Sequence, residues 1–177
     1  MYNLKLAEFT EERDLQTLYS WRKSTDWRYL VSERKKITSL NAFRNELSAC
    51  HKKYWKEHRM ILDEKGMPVG TIFGYLFSKD RSEVTIGTYV QRRSRSNPAI
   101  ASAFVRYCEL FFNNLGVETI ICDVYEYNER VVSLLSRIGF KQAQGFVSLR
   151  RCGSRKFGLI RFFLHKSKRS KIYNRLS

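Results

Sequence analysis

This sequence has few cysteines and histidines, and they are not spaced as metal ligands. None of its four cysteines forms a Cys-x-x-Cys pair, and its three histidines show no metal-ligand spacing with one another or with a cysteine. Because zinc sites typically use closely spaced ligands, we expect no bound metal. Cys108 falls on an apolar helical face and Cys122 in an apolar strand, which predicts two buried free thiols.

Long apolar runs are also missing. One of the longest, over residues 157–164, is interrupted by Arg161 and falls well short of the roughly 20 residues that a membrane-spanning helix needs. Residues 1–9 are too polar for the apolar region of a secretory signal. We therefore expect a cytoplasmic protein with no membrane span.

Acidic residues are scarce relative to basic ones. The chain has 33 Lys and Arg against 17 Asp and Glu, which gives a net charge of +16. Such a field attracts polyanions: nucleotide phosphates, RNA, an acidic carrier protein or an anionic membrane surface. The alternative is that solvated basic faces only maintain solubility.

Enough apolar material is present for one folded domain. Hydrophobic residues make up 43% of the 177 residues and aromatic residues 14%, which is typical of globular proteins. A chain of this length buries about two thirds of its unfolded surface. With no repeat or linker in the sequence, we predict a single domain over residues 1–165 and a basic tail over 166–177.

The spacing of apolar residues predicts strands and helices in mixed order. The predicted order is β-α-α-β-β-β-α-β-α-β-β, which corresponds to an α/β fold with a central twisted mixed sheet flanked by helices. The strands are predicted at 4–9, 60–63, 69–77, 82–91, 119–125, 145–151 and 157–164, and the helices at 10–21, 39–57, 99–113 and 129–138.

One segment carries the most specific pattern. After the strand at 119–125 come Asn128, a helix of about three turns, and then Gly139 and Phe140. Asn suits the N-cap, Gly suits the left-handed residue after a helix, and Phe begins the next buried strand. This order resembles the GCN5-related N-acetyltransferases (GNAT), and the likeness extends over about residues 4–165. Within that superfamily the motif is closer to the ribosomal-protein alanine and sugar-nucleotide acetyltransferases.

The resemblance implies an acyl-CoA-dependent N-acyltransferase in which an amine attacks the thioester directly. The expected cofactor is acetyl-CoA or another acyl-CoA. The acceptor would be a small molecule, a nucleotide-linked amino sugar or a protein N-terminus, and the oligomeric state stays open. One alternative is a catalytically silent GNAT fold that binds RNA or an acidic partner protein. Another is an acyltransferase that uses an acyl carrier protein or acts on aminoacyl-tRNA.

In this family a loop after the fourth strand binds the pyrophosphate of CoA through backbone N–H groups, and the following helix turns its positive end to the phosphates. The loop is usually glycine-rich, but this sequence has no glycine between Gly87 and Gly116. Side chains of Arg, Ser and Asn are expected to replace some backbone donors. The resemblance, which also places Asn128 beside the pantetheine arm and the Val90 backbone at the oxyanion, implies these cofactor-binding residues: Tyr89, Val90, Gln91, Arg92, Arg93, Arg95, Ser96, Asn97, Ala99, Ala101 and Asn128.

The catalytic positions depart from the family. Many members have a tyrosine seven residues after the Asn to protonate the leaving thiolate, and here that residue is Leu135. Tyr125 and Tyr127 are the alternative donors. An attacking amine must be neutral, so a base is expected directly or through water. Its usual position holds Thr85, and Glu83 on the same strand face is the substitute. The alternatives are packed aromatic rings and an exposed strand carboxylate.

The acceptor side carries a weaker signal. Trp21 and Arg22 resemble the helix end of acetyltransferases that act on amino sugars attached to nucleotides. We therefore predict that these two residues contact the acceptor. The alternative is that they form a core anchor and a salt bridge.

Overall fold

The computed structural model describes residues 5–8, 11–24, 39–53, 57–91, 94–95, 97, 99–152 and 155–168. The elements are β1 (Lys5–Glu8), α1 (Glu11–Ser24), α2 (Leu40–Lys53), β2 (Glu57–Leu62), β3 (Pro68–Tyr75), β4 (Glu83–Val90), α3 (Ala99–Asn114), β5 (Thr119–Tyr125), α4 (Glu129–Ile138), β6 (Lys141–Gln142), β7 (Ser148–Cys152) and β8 (Arg155–His165). A single 3₁₀ turn, Lys166–Lys168, follows β8.

The chain divides into two compact units, and β4 contributes residues to both. The first unit comprises residues 1–76 and 88–103. Its strands follow the order β1-β2-β3 and then the end of β4, with β1, β2 and β3 antiparallel. Helices α1 and α2 bury their apolar stripes against β2, because each has apolar residues three or four positions apart. This core contains Leu15, Leu18, Trp21, Phe43, Leu47 and Met60.

The second unit comprises residues 77–87 and 104–177. The start of β4 lies parallel to β5, and all seven residues of β5 pair antiparallel with β8. The other edge of β8 pairs with β7 near its start and with β6 near its end. Fully buried side chains of α3, α4, β5 and β8 form the core, and burying each large one contributes about 1.5–3 kcal/mol. They include Tyr107, Phe111, Phe112, Ile120, Leu135, Ile138, Phe162 and Leu164.

The end of α4 agrees with the predicted motif. Gly139 has a left-handed φ of 108°, and its N–H donates to the carbonyl oxygens of Leu135 and Ser136 at 3.1 and 3.2 Å. The N–H of Phe140 donates to the Leu135 oxygen at 3.0 Å, and the Phe140 side chain is buried. The glycine is needed because this conformation is unfavourable for residues with a Cβ.

The sequence prediction was wrong at β2, which begins at Glu57 where a helix was expected. Its polar residues bond partly to the neighbouring strand and partly to each other. His58 is buried and donates to the Thr71 hydroxyl of β3, which in turn donates to the carbonyl oxygen of Arg59 at 3.1 Å. Arg59 pairs with Glu57 of the same strand at 3.1 Å. Since the bonds through Thr71 depend on register with β3, a local pattern does not reveal them.

Further findings concern membrane-spanning helices, metal ligands and the cysteines. No helix within the described ranges is long and apolar enough to cross a membrane, and those ranges hold no group of three His, Cys, Asp or Glu suited to a metal ion. Cys108 and Cys122 are free and fully buried, as predicted, and burial raises the pKa of both thiols.

Candidate active site

The segment expected to hold the cofactor's phosphates begins where β4 ends. The Gln91 N–H donates to the Val69 carbonyl oxygen at 2.9 Å, so β4 stays bonded to β3 as far as Gln91. A Cβ at Gly70 would lie only 2.7 Å from the Tyr89 carbonyl oxygen. The close approach of these strands therefore requires glycine at position 70 and fixes the backbone from which the loop departs.

The loop lacks glycine but folds through its own hydrogen bonds. The Ser94 N–H donates to the Gln91 oxygen at 2.9 Å, and the Asn97 N–H donates to the Ser94 oxygen at 3.0 Å. Arg95 is exposed, and its Nε donates to the Val90 carbonyl oxygen at 3.1 Å. Two of the described N–H groups of this loop, those of Ser94 and Asn97, are thus used within the loop itself. Of the predicted loop residues, Arg92, Arg93 and Ser96 lie outside the described residues.

Helix α3 begins with a side-chain cap. Asn97 Oδ1 accepts the Ala99 N–H at 2.9 Å, and the Asn97 carbonyl oxygen accepts the Ile100 N–H at 3.1 Å. Ala99 is buried and Ala101 partly buried, so their small side chains pack within the first turn. A helix of 16 residues presents a partial positive charge at this end, which favours a phosphate.

Trp21, which was predicted to contact the acceptor, belongs to the core of the first unit. Its side chain is only 6% exposed and stacks on Tyr89, with ring centroids 5.4 Å apart and planes at 28°. This environment agrees with the alternative of a core anchor, and contact with an acceptor stays a prediction. Arg22, the next residue, is partly exposed in the last turn of α1.

In the second unit, β4 and β5 pair over only three residues. The pairs are Glu83–Thr119, Val84–Ile120 and Thr85–Ile121. The ladder ends there within the second unit, although β4 continues to Gly87 in that unit and β5 continues to its end. The backbone groups of both strands beyond Thr85 and Ile121 are therefore not used by this ladder.

Glu83 lies at the first residue of β4, exposed, with its N–H donating to Ser78 Oγ at 2.9 Å. It pairs with Thr119, and Tyr125 is six residues further along β5, or about 20 Å at the usual rise per residue. The structure therefore does not bring Glu83 together with the two tyrosines. Its environment matches the alternative of an exposed strand carboxylate.

Tyr125 and Tyr127 lie together at the end of β5. Their rings are stacked, with centroids 5.3 Å apart and planes at 9°. Tyr125 is buried, whereas Tyr127 is partly exposed. The Tyr127 ring packs edge-to-face with Phe157, with ring centroids 4.8 Å apart. Packing thus fixes the Tyr127 ring while part of it remains accessible.

Two hydrogen bonds that the sequence did not predict join this turn to β8, and we call this pair the Glu126–Gly158 clamp. The Glu126 N–H donates to the Gly158 carbonyl oxygen at 3.0 Å, and the Gly158 N–H donates to Glu126 Oε1 at 2.8 Å. Glu126 thereby fixes the segment that presents Tyr127 and Asn128. Only the register of β8 reveals this contact, because the two residues are far apart in sequence.

Asn128 begins α4 as predicted, but only through its backbone. Its carbonyl oxygen accepts the N–H groups of Val131 and Val132 at 2.9 and 3.0 Å. The exposed side chain makes no capping hydrogen bond to this helix. The carboxamide, which can both donate and accept, is therefore not used by α4.

These observations fit the sequence family that the chain matches. A family model described as "Acetyltransferase (GNAT) domain" matches residues 8–160. The chain belongs to the GNAT acetyltransferase family. It is accordingly an N-acetyltransferase that uses acetyl-CoA, as the sequence predicted.

Solved structures show the same fold. Spermidine N-acetyltransferase from Vibrio cholerae, in complex with CoA and spermine, superimposes with a TM-score of 0.82 at 14% identity, over 95% of this chain and 98% of that chain. A GNAT-family acetyltransferase from Bacillus anthracis gives a TM-score of 0.75 at 13% identity, over 94% and 99%. No curated protein matches the sequence. At these identities the likeness concerns the fold alone.

Proposed function

We propose that this GNAT enzyme transfers the acetyl group of acetyl-CoA to a primary amine, which attacks the thioester directly. The observation that carries the proposal is Asn128. Its carboxamide is exposed and is not used by its own helix, at the position where the resemblance expects the pantetheine arm. A side chain that served only the helix would cap it instead.

The residues divide into binding and proton-transfer roles. Arg95 and the start of α3 would bind phosphate, and the backbones of Val90 and Gln91 line the end of β4. Asn128 would hydrogen-bond the pantetheine arm. When bound, acetyl-CoA supplies an activated thioester. As the C–N bond forms and the C–S bond breaks, Tyr127 would donate its Oη proton to the leaving sulfur, and the proton released by the amine would pass to solvent water. Tyr125 is less suited than Tyr127 because it is buried. We assign no base, because Glu83 lies about 20 Å along the sheet from these tyrosines.

We propose the class of acceptor from the net charge of this chain. The Vibrio enzyme acts on spermidine, which is a polycation, and its structure holds spermine. This chain carries a net charge of +16, which repels a polycation at low salt. We therefore favour an amine on a neutral or anionic molecule, such as a nucleotide-linked amino sugar, or a protein N-terminus. The ribosomal-protein or sugar-nucleotide subtype stays a prediction.

We also propose that residues 1–165 act as a single domain, with 166–177 as a tail. Because β4 contributes residues to both compact units, neither unit contains all of this strand.

The proposal is tested by calorimetric titration with acetyl-CoA, with desulfo-CoA as a control for the sulfur contact. We expect saturable binding by the natural protein. Asn128→Ala should raise the dissociation constant about tenfold, because a lost hydrogen-bonding partner costs about 1.5 kcal/mol. Asn114→Ala is the matched control, since this asparagine is exposed in the last turn of α3, at the end opposite to the predicted phosphate-binding end.

Two results would count against the assignment. One is the absence of binding by a correctly folded natural protein. The other is an Asn128→Ala protein that binds acetyl-CoA as tightly as the natural one, which would remove Asn128 from the cofactor site. A screen of amines with the natural protein then separates cofactor binding from transfer.

A further inference from the structure

The positive charge of this chain is concentrated at one end of the sequence. The last acidic residue is Glu129. The 48 residues that follow contain 13 Lys and Arg and no Asp or Glu, whereas the first 129 residues contain 20 basic and 17 acidic residues. Thirteen of the sixteen net charges therefore belong to residues 130–177, which comprise α4 after its first residue, β6, β7, β8 and the residues after them. A cofactor with a few phosphates does not account for an excess of this size.

Within this segment, the end of β8 presents an exposed aromatic ring beside basic side chains. Phe163 is 37% exposed and pairs directly with Lys141 of β6, whose side chain is exposed. Because residues two apart on a strand share a face, Arg161 and His165 flank Phe163 on that face. We call Lys141, Arg161, Phe163 and His165 the β8 row. An exposed aromatic ring beside the cationic Lys141 suits a ligand that has both flat rings and negative charge.

The β8 row is held in place by its neighbours. Arg161 makes two hydrogen bonds of 2.8 Å to the carboxylate of Asp123, which fixes the guanidinium and offsets part of its charge. The Lys166 N–H donates to the Glu118 carbonyl oxygen at 2.8 Å, and the Ser167 N–H donates to His165 Nδ1 at 3.2 Å. These bonds fold the 3₁₀ turn that places Lys168, which is exposed, directly after the row.

We propose that the β8 row binds single-stranded nucleic acid, with a base stacked on Phe163 and phosphates paired with Lys141 and Lys168. Stacking on aromatic side chains within a basic groove is a general mode of single-strand binding. A second copy of this chain fits poorly, because a symmetric contact would oppose cations to cations. An acidic peptide satisfies the charges but offers no base for the ring. A duplex keeps its bases stacked inside and leaves Phe163 without a partner.

The test is fluorescence anisotropy with a labelled oligouridylate of about 12 nucleotides, which fits the usual single-strand site size. Phe163→Ala should raise the dissociation constant about fivefold or more, the usual effect of losing one stacked base. Leu115→Ala is its control, since Leu115 is a similarly exposed apolar residue at 39% and lies outside the row.

Lys141→Gln should reduce the slope of log affinity against log salt by about 0.7, as one lost phosphate contact does for a single strand. Lys65→Gln, in the exposed turn after β2, should leave the slope unchanged.

Three results would overturn the proposal. The first is an equal loss for Phe163→Ala and Leu115→Ala, with thermal melting showing that both remain folded. The second is displacement of the RNA by polyglutamate at the same charge concentration, which would indicate an acidic protein partner. The third is equal affinity for a duplex of the same length. Acetyl-CoA titration of Phe163→Ala should match the natural protein, so failure here is distinguishable from failure of the cofactor site.

Discussion

Asn97 lies two residues before α3 and Asn128 lies immediately before α4, yet their side chains make different contacts. Asn97 Oδ1 accepts the Ala99 N–H, whereas the Asn128 carboxamide makes no bond to α4. The backbone angles of Asn128, with φ −89° and ψ 56°, lie outside the extended region typical of a capping residue. The same residue type thus serves as structure in one place and is available to a ligand in the other.

This difference predicts two stability effects. Asn97→Ala should lower the free energy of unfolding by about 1 kcal/mol, the usual cost of losing a capping side chain. Asn128→Ala should change it by less than about 0.5 kcal/mol, because that side chain caps nothing. Urea denaturation measures both. Equal losses in the two variants would show that Asn128 is a structural cap.

Asp80 predicts a pH dependence in the loop before β4. Hydrogen bonds from the Ser78 hydroxyl, and then from the N–H and hydroxyl of Ser82, lower the pKa of Asp80 from 3.8 to about 2. Because the folded pKa lies below the unfolded value, this contribution to stability is complete above about pH 4 and is lost as the pH falls toward 2. Asp80→Asn should lack this component. Thermal melts between pH 5 and pH 2 should therefore show a smaller decrease for the variant than for the natural protein.

At the scale of elements, the pairing of β3 with β4 in the first unit depends on Gly70. A Cβ there would meet the Tyr89 carbonyl oxygen at 2.7 Å and the Val90 Cα at 3.3 Å, both of which are backbone atoms. Gly70→Ala should therefore lower the free energy of unfolding by about 1–3 kcal/mol, as overpacking does, and weaken acetyl-CoA binding.

Gly66→Ala provides the control for Gly70→Ala. Gly66 has a positive φ of 73° but nothing within 4 Å of an added Cβ, so its cost is backbone strain of about 1 kcal/mol. Acetyl-CoA binding by this variant should be unchanged. If Gly66→Ala weakened acetyl-CoA binding as much as Gly70→Ala, the pairing of β3 with β4 would not determine the position of the loop after β4.

How far the sequence predicts these elements depends on where their hydrogen bonds lie. The strand at 119–125 was predicted residue for residue, because alternate apolar side chains and a closing turn are local signals. The strand expected to begin at Phe140 corresponds to β6, whose two residues are exposed. β2 was mistaken in part for helix, because its pairing depends on a partner distant in sequence. The same reason applies to the site. Asn128 was identifiable from its motif, whereas the Glu126–Gly158 clamp and the burial of Trp21 follow from tertiary packing.

At the scale of the whole molecule, the net charge of +16 predicts how salt affects the choice of acceptor. A polycation such as spermidine should be acetylated faster as salt increases, because ions screen its repulsion from the protein over about 10 Å at 0.1 M. An amine carried by a phosphate-bearing molecule should show the opposite trend. Initial rates at low and physiological salt test this. A decrease in the spermidine rate with salt would contradict the proposed preference.

The buried thiols of Cys108 and Cys122 give this enzyme an internal reporter of its own opening. Enclosed and with raised pKa values, they stay protonated at neutral pH and do not meet a reagent in solution. In a protein whose Cys50 and Cys152 are replaced by serine, alkylation therefore proceeds only through molecules in which the second unit has transiently unfolded. Any ligand that binds the folded form alone lowers that population, so the alkylation rate measures occupancy without a label on the ligand.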